Sequence, residues 1–399
     1  GELSGPALTA RARLPDASRV AYLGSFNVTG DDRPELVFRV VNEDRIILRD
    51  ERFEWVGSFV LPERALSLSV VDDLDGDKLS DIAFVTDDEF AASMAVRGDG
   101  SVISRVGFSF LFDSVVYPQR AHEGLLLLPV TTGHMEWPRG LYGVDAARGA
   151  VRFFYPIAAF VNTVVAHDGA FYVSNYTPDN GAVIERPDGS VDTDGAMFLH
   201  AINRDGSIHP YARPIDLGEP RGMLNFFLWD ADGDGSEDVH AIVRRSAPYN
   251  PGLSGVYRLA DGGRLIRVIE GSHNSQSAPH VVRIGSRDHL VLRWSDRDDV
   301  LVYGPRYELV GAFAVQTPGL ASVVDANRDG VPELLSIRDG ALVYRDTATG
   351  GEQRIRSQDG PFRTVRVHEV RGREYVAVAH GDAGYFAFHL GMSGVESLR

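Results

Sequence analysis

The sequence predicts an all-β protein: a single β-propeller of eight four-stranded blades, with seven as the alternative count. Three observations predict it. Four Asp-rich segments align with one another without gaps, and their spacing divides into units of blade size. Between them, short apolar strands joined by Asp/Gly turns recur along the 399 residues. Repeat folds grow by adding units around one continuous core, so this length does not require several domains.

The aligned segments are Asn27–Leu36, Asp73–Ile82, Asp230–Val239 and Asp325–Leu334. Their starts lie 46, 157 and 95 residues apart. The two longer gaps divide into three units of about 52 and two of about 48 residues, the length of a propeller blade. The Asp-rich segments therefore open the first, second, fifth and seventh units. Turns such as Arg97–Gly100, Asn203–Gly206 and Ala260–Gly263 carry the residues that accept positive φ between hairpin strands. Strands alternate at period two, and no helical period persists. The units run approximately over 17–63, 64–112, 113–157, 158–218, 219–270, 271–316, 317–357 and 358–395. The last unit has almost no chain for a fourth strand. The alternating segment 7–14 is expected to supply that strand, closing the ring and hiding both sheet edges.

Each Asp-rich segment places oxygen side chains at loop positions 1, 3, 5 and 9, and position 7 offers its carbonyl. The predicted ligand sets are Asp73, Asp75, Asp77, Leu79 and Asp81, then Asp230, Asp232, Asp234, Ser236 and Asp238. Asp325, Asn327, Asp329, Val331 and Glu333 form the third, and Asn27, Thr29, Asp31, Arg33 and Glu35 the fourth. Several hard oxygens without His or Cys suit Ca²⁺, up to four ions in all. Magnesium wants fewer protein ligands and more water. An EF-hand is excluded, because Phe38, Phe84, Ala241 and Ser336 stand where its bidentate Glu belongs. The first loop departs furthest, with Asp31 and Glu35 its only charged ligand side chains.

These loops resemble those of the FG-GAP/VCBS repeat family, the calcium-loop propellers that include integrin α-subunit heads. The match is closest at Asp73–Ile82 and Asp230–Val239, and the FG and GAP tripeptides are absent. The resemblance implies that the loops join the innermost strand of a blade to the second and brace the fold.

If so, strand parity sends the second-to-third connections and those between blades to the opposite face. Three consecutive units have long ones there, rich in aromatic, amide and charged groups. They contain His134, Glu136, Trp137 and Arg139, then Tyr176 and Asn180, then Arg245 and Tyr249. His273 and Asn274 can join them from the next connection. Such loops on a rigid scaffold are where binding is expected, for a carbohydrate or a protein ligand. Packing of the loops on one another is the alternative.

A net charge of −16 with no basic run excludes nucleic acid as a partner. No apolar stretch is long enough to span a bilayer. Zero cysteines exclude disulfides and thiolate metal sites. An extracytoplasmic location is expected, with any signal or anchor removed, since millimolar external calcium fits loops of this ligand count. The preferred reading is a non-enzymatic binding or sensing module. One alternative is a lyase-like enzyme on polysaccharide, as in some calcium-containing propellers that this architecture resembles, with His134, Tyr176 and Arg139 as the candidate groups. Another is an architectural domain without a ligand of its own.

Overall fold

The computed structural model describes residues 3–4, 20–30, 33–86, 90–111, 115–116, 121–122, 124–131, 138–186, 189–208, 222–246, 253–272, 275, 278–315, 321–358, 360–370, 374–382, 384–391 and 394–397. Its described strands fall into consecutive antiparallel groups. The first is Val20–Phe26, Glu35–Val40, Arg45–Arg49 and Trp55–Val60. The second is Ala65–Val71, Asp81–Thr86, Phe90–Val96 and Val102–Leu111. The third pairs Val115–Val116 and Ala121–His122 with Leu125–Thr131, followed by Arg139–Asp145 and Ala150–Pro156.

The fourth, Phe160–His167, Ala170–Tyr176 and His200–Asn203, shares one sheet with the fifth through the pair Tyr176 and Met223. The fifth is Gly222–Trp229, Asp238–Ser246, Gly255–Ala260 and Arg264–Glu270, and the sixth His280–Ile284, Arg287–Leu292, Asp299–Tyr303 and Leu309–Ala314. The seventh is Ala321–Val324, Glu333–Arg338, Ala341–Asp346 and Glu352–Ile355. The eighth is Phe362–Val370, Glu374–Gly381, Gly384–Gly391 and Gly394–Ser397.

Side-chain parity explains how the groups assemble. Asp81–Thr86 is buried along its whole length, because alternate residues serve different neighbours. Ile82 and Phe84 pack with Val37, Ile46 and Leu48 of the first group, while Ala83 and Val85 pack with Leu126 and Leu128 of the third. An apolar cluster of this kind bridges every neighbouring pair of groups. One of them joins Leu36 and Phe38 of the first group to Val376, Val378 and Tyr385 of the eighth, and the Tyr385 hydroxyl donates to the Val20 carbonyl at 3.0 Å. The sheets therefore form a closed ring, with the first strands of neighbouring groups against one another on its inner wall.

Closure differs from the expectation in one respect. Residues 7–14 lie outside the described residues. The described N-terminal strand, Leu3–Ser4, runs parallel to Gln353 and Arg354 on the outer edge of the seventh group. The eighth group completes itself: the chain reverses between Gly391 and Gly394, and Gly394–Ser397 pairs with Gly384–Gly391. Gly394–Ser397 thus serves as the outer strand where the remaining chain looked too short.

Candidate metal loops and the opposite face

The Asp-rich loops connect first to second strands at 27–34, 72–80, 230–237 and 325–332. Three of them share one nested turn. In the second loop Asp73 Oδ1 accepts the Gly76 N–H at 2.6 Å and Asp73 Oδ2 that of Lys78 at 2.8 Å, while Asp77 accepts that of Leu79 at 2.8 Å. The fifth-group loop repeats this: Asp230 accepts from Gly233 at 2.8 Å and Gly235 at 3.1 Å, and Asp234 from Ser236 at 2.7 Å. In the seventh, Asn327 accepts from Asp329 at 2.9 Å and Asp329 from Val331 at 2.8 Å. Loop positions 4 and 6 take positive φ in all three: Gly76 and Lys78, Gly233 and Gly235, Arg328 and Gly330. The turn brings carboxylates from positions 1, 3, 5 and 9 towards one another, three of them in each loop.

The carboxylates converge accordingly. One oxygen each from Asp73, Asp75 and Asp81 lie within 4.8 Å of one another, as do those of Asp230, Asp232 and Asp234, and of Asp325, Asp329 and Glu333. Asp81 is 0% exposed, Glu333 2% and Asp325 4%. In the second and seventh loops the position-9 carboxylate anchors its loop by accepting a position-2 N–H, Leu74 to Asp81 and Ala326 to Glu333, both at 2.7 Å. The second oxygen of Asp81 and one oxygen of Asp325 are buried without a hydrogen-bond partner among the described residues. Burial first, and then the charges of neighbouring Asp73, Asp75 and Asp77, push the Asp81 carboxyl up to about 7. Burial, and then Asp325 and Asp329, push Glu333 up to about 7 as well. Asp238 is raised in the same direction, mainly by burial. Hard oxygens with orphaned lone pairs and a surplus of negative charge fit a divalent cation, and Ca²⁺ would supply the missing charge and partner together.

The first loop differs. Glu35 accepts the Val28 N–H at 2.8 Å and is also held by the Thr29 hydroxyl. Its carboxylate is satisfied by neutral donors, and Asp31 lies outside the described residues.

Neighbouring units meet at these loops. The Ser80 N–H donates to the Asn27 carbonyl at 2.7 Å, joining the first and second. Gly98 sits so close to the first loop that a Cβ there would come within 2.1 Å of the Val28 carbonyl oxygen. The Gly285 N–H donates to Asp325 at 2.6 Å, and that of Arg306 to the Ala231 carbonyl at 2.6 Å. The loops are thus parts of the contacts between units, beyond being turns of their own sheets. Arg97 reaches Asp75 at 2.6 Å from the exposed rim.

Parity puts the second-to-third connections on the other face, where the longest described one, 177–199, carries the hairpin Val183–Glu185 with Val191–Thr193. Its polar groups turn inward. Asp194 accepts the N–H groups of Asn180, Gly181 and Ala182 at 3.0, 3.1 and 3.0 Å, and faces Arg139 at 3.4 Å. Arg139 also donates to the Ala158 carbonyl at 2.8 Å, lies 5.0 Å over the Phe160 ring and is 0% exposed. Asp192 accepts from Ala158 N at 3.1 Å and from Arg186 at 3.0 Å, and Arg186 also donates to the Tyr155 hydroxyl. His200 stands against this group; burial holds its imidazole down to about 4, so it is neutral at pH 7.

Comparison with solved structures fixes the architecture. Dihydro-heme d1 dehydrogenase NirN in complex with DHE is similar at a TM-score of 0.57 and 13% identity, over 99% of this chain and 76% of that chain. BamB from Moraxella catarrhalis is similar at a TM-score of 0.50 and 11% identity, over 92% of this chain and 98% of that chain. Both have the same closed ring of sheets. The chain is a β-propeller. At these identities the likeness is one of fold alone. No protein-family model matches the chain, and no curated protein sequence matches it.

On the propeller, the residues expected to form a ligand face divide. Arg139 is a correction: it is an internal ion-pair partner of the insertion, with no surface to offer a ligand or a reacting group. Asn180 is half-buried and gives its backbone N–H to Asp194. Tyr176, half-buried, lies 6.1 Å from the Phe160 ring. Arg245 lies near the end of the strand Asp238–Ser246. His134, Glu136, Trp137, Tyr249, His273 and Asn274 lie outside the described residues. Sequence reasoning missed Arg186, Asp192, Asp194 and His200. The Asp192 and Asp194 pair at the end of an insertion, on alternate strand positions, was the available signal.

Proposed function

We propose that this propeller is a binding module braced by Ca²⁺ in the loops at 73–81, 230–238 and 325–333, of the kind the FG-GAP/VCBS resemblance implies. The observation that carries the reading is the pair of buried, unpartnered carboxylate oxygens on Asp81 and Asp325 inside acidic clusters. A buried anion without a partner is costly, and a bound cation removes the cost. Because the same loops carry contacts between units, an ion there staples neighbouring blades together. The loop at 27–35 is satisfied from within and is the weakest of the four.

Recognition then falls to the opposite face, around the connections of the third, fourth and fifth groups. The buried ion pairs of Arg139 and Arg186 hold the insertion rigid, as a binding surface requires. The ligand is a protein or a carbohydrate in an extracytoplasmic, calcium-rich setting. The loss of Arg139 to an internal role removes one of three groups on which a lyase reading rested. Among the described residues, no helix is long and apolar enough to cross a membrane.

Elemental analysis of the purified protein, with melting curves in Ca²⁺ and in EGTA, tests the metal. Bound calcium and a melting point lowered by EGTA are expected; metal-free protein with one melting point in both buffers overturns it. A glycan array beside a protein-interaction screen, each run with protein carrying substitutions on the opposite face, tests the recognition surface.

A further inference from the structure

The described first strands of the ring carry more basic than acidic side chains, the reverse of the molecule as a whole. With 56 acidic and 40 basic residues the chain is strongly anionic. Among the described residues of the first strands, however, Glu369 is the single carboxylate, set against Arg283, Arg363, Arg366, His280 and His368. Two adjoining cavities of about 230 and 280 Å³ lie between the first strands of the sixth, seventh and eighth groups. The short strand Ala321–Val324 leaves that room between its neighbours. The larger cavity is lined by His280, Arg293, Arg366, His368 and the Ser322 hydroxyl, with no carboxylate among its lining residues.

Two of the polar atoms there lack partners: His368 Nε2 and Arg293 Nε are buried without a hydrogen bond among the described residues. Other basic groups nearby are already neutralised, Arg363 by Asp382 at 2.8 Å and Arg283 by Asp288 at 3.1 Å. Arg293 feels the charge of Asp298. Arg366 carries no such pair among the described contacts. Two arginines and two histidines from the sixth and eighth blades, lining one small hollow in an acidic protein, constitute an electrostatic trap for anions.

We infer that the cavity bounded by His280, Arg293, Arg366 and His368 binds a small dianion, an oxyanion of the sulfate or phosphate type or a short dicarboxylate, through the two guanidinium groups and the imidazoles. Its volume, about 280 Å³, has room for a ligand of that size. The imidazoles make binding pH-dependent. Burial, and then Arg366 and His280, hold His368 down to about 4 while the site is free of anion, and burial lowers His280 as well. The groups around His368 are Arg366 and Glu369 from its own strand, His280, Arg283 and Arg293 from the sixth group, Tyr375 from the next strand and the Tyr22 ring at 5.2 Å. An anion between the imidazoles favours their charged forms, so binding takes up protons and strengthens as pH falls.

Calorimetric titration of the whole protein with sodium sulfate tests this, because sulfate keeps its double charge down to about pH 4, so a change in affinity between about pH 4.5 and about pH 7 reports the imidazoles. Succinate serves as the carboxylate probe. Saturable binding is expected, tighter at the lower pH and weakened about tenfold by Arg366→Gln, the loss of one charge-assisted contact. Arg363→Gln, on the same strand but tied to Asp382, is expected to bind as the parent does. Arg366 is exposed, so its replacement should leave the melting point in place; His368→Gln provides a second variant if it does not. Preference between sulfate and succinate tells oxyanion from carboxylate chemistry. Absence of saturable binding by either probe overturns the inference, and so does binding that Arg366→Gln and His368→Gln leave unchanged.

Discussion

Two regions of this propeller bury carboxylates, and they solve the same electrostatic problem in different ways. In the insertion 177–199, Asp192 and Asp194 meet Arg186 and Arg139, and three backbone N–H groups converge on Asp194. On the other face, Asp81, Asp325 and Glu333 are just as buried, but their charged neighbours within the cluster are other carboxylates. Arg97, at the exposed rim, pairs with Asp75 of the second loop. One region brings its countercharge in the chain; on the proposed reading, the other takes it from solution. The first should then be stable by itself, and the second should respond to an ion.

The largest effect expected from breaking this contrast lies in the insertion. Asp194→Ala removes the partner of a buried guanidinium and the acceptor of three N–H groups. It should cost about 3–5 kcal/mol, the range for stripping one member from a buried ion pair. Urea unfolding should give the same loss in Ca²⁺ and in EGTA. A loss that calcium rescues would show that the regions are not independent.

The metal loops should behave in the opposite manner. Chelation should lower stability by about 3 kcal/mol for each site that had been held at a hundredfold excess of Ca²⁺ over its dissociation constant. Differential scanning calorimetry across a calcium series would measure this as a melting point that climbs with the logarithm of free calcium. A flat series would place the loops with the insertion, as self-sufficient turns.

The two regions were also unequally legible in the sequence. The loops repeat, so their spacing exposed the ring and the carboxylates that converge in three of them. That first-to-second strand connections carry them followed from the family resemblance, and the strand order agrees. The insertion occurs once, and among the described residues its hairpin pairs with no other strand, so no period could reveal that Arg139 and Asp194, 55 residues apart, meet. Arg139 looked like a surface group because it follows a polar loop; it is in fact the first residue of a buried strand. The end of the chain misled for a local reason. Four residues after a glycine turn are enough for an outer strand, which sequence length alone did not suggest.

Asp81→Asn sharpens the comparison at a single atom, because its sign should depend on the medium. Without metal the substitution removes a desolvated charge from among Asp73, Asp75 and Asp77, while the amide oxygen still accepts the Leu74 N–H. A gain of about 1–2 kcal/mol is expected in EGTA. In calcium the same change deletes a ligand and the protein should lose most of what that site contributes. The same sign in both media would break the assignment.

The pH dependence follows the same logic. Asp81 and Glu333 are both raised to about 7 in the metal-free fold, above their unfolded values. A carboxyl with a raised folded pKa favours the fold when protonated, and that contribution is lost as pH rises from the unfolded pKa, about 4, towards 7. Metal-free protein should accordingly become less stable across that window, while calcium, which competes with those protons, should stabilise more at pH 8 than at pH 5 on an order-of-magnitude view. Melting curves in EGTA and in calcium at a series of pH values should diverge as pH rises. Parallel curves would mean that no ion takes up these charges.

The smallest effect should come from the first loop, and it tests whether the contrast runs within the loops as well as between faces. Glu35 is as buried as Glu333, yet it accepts the Val28 N–H and the Thr29 hydroxyl and has no described acidic cluster around it. Glu35→Gln keeps an acceptor for the Val28 N–H and disturbs only the Thr29 contact, so about 1 kcal/mol or less is expected, with little difference between calcium and EGTA. Set beside Asp81→Asn, the comparison asks whether loops of one ancestry of spacing have diverged in how they are satisfied. A calcium-dependent loss at Glu35 equal to that at Asp81 would make the first loop a metal site like the others, and would show that hydrogen bonds from Thr29 yield to the ion when it is present.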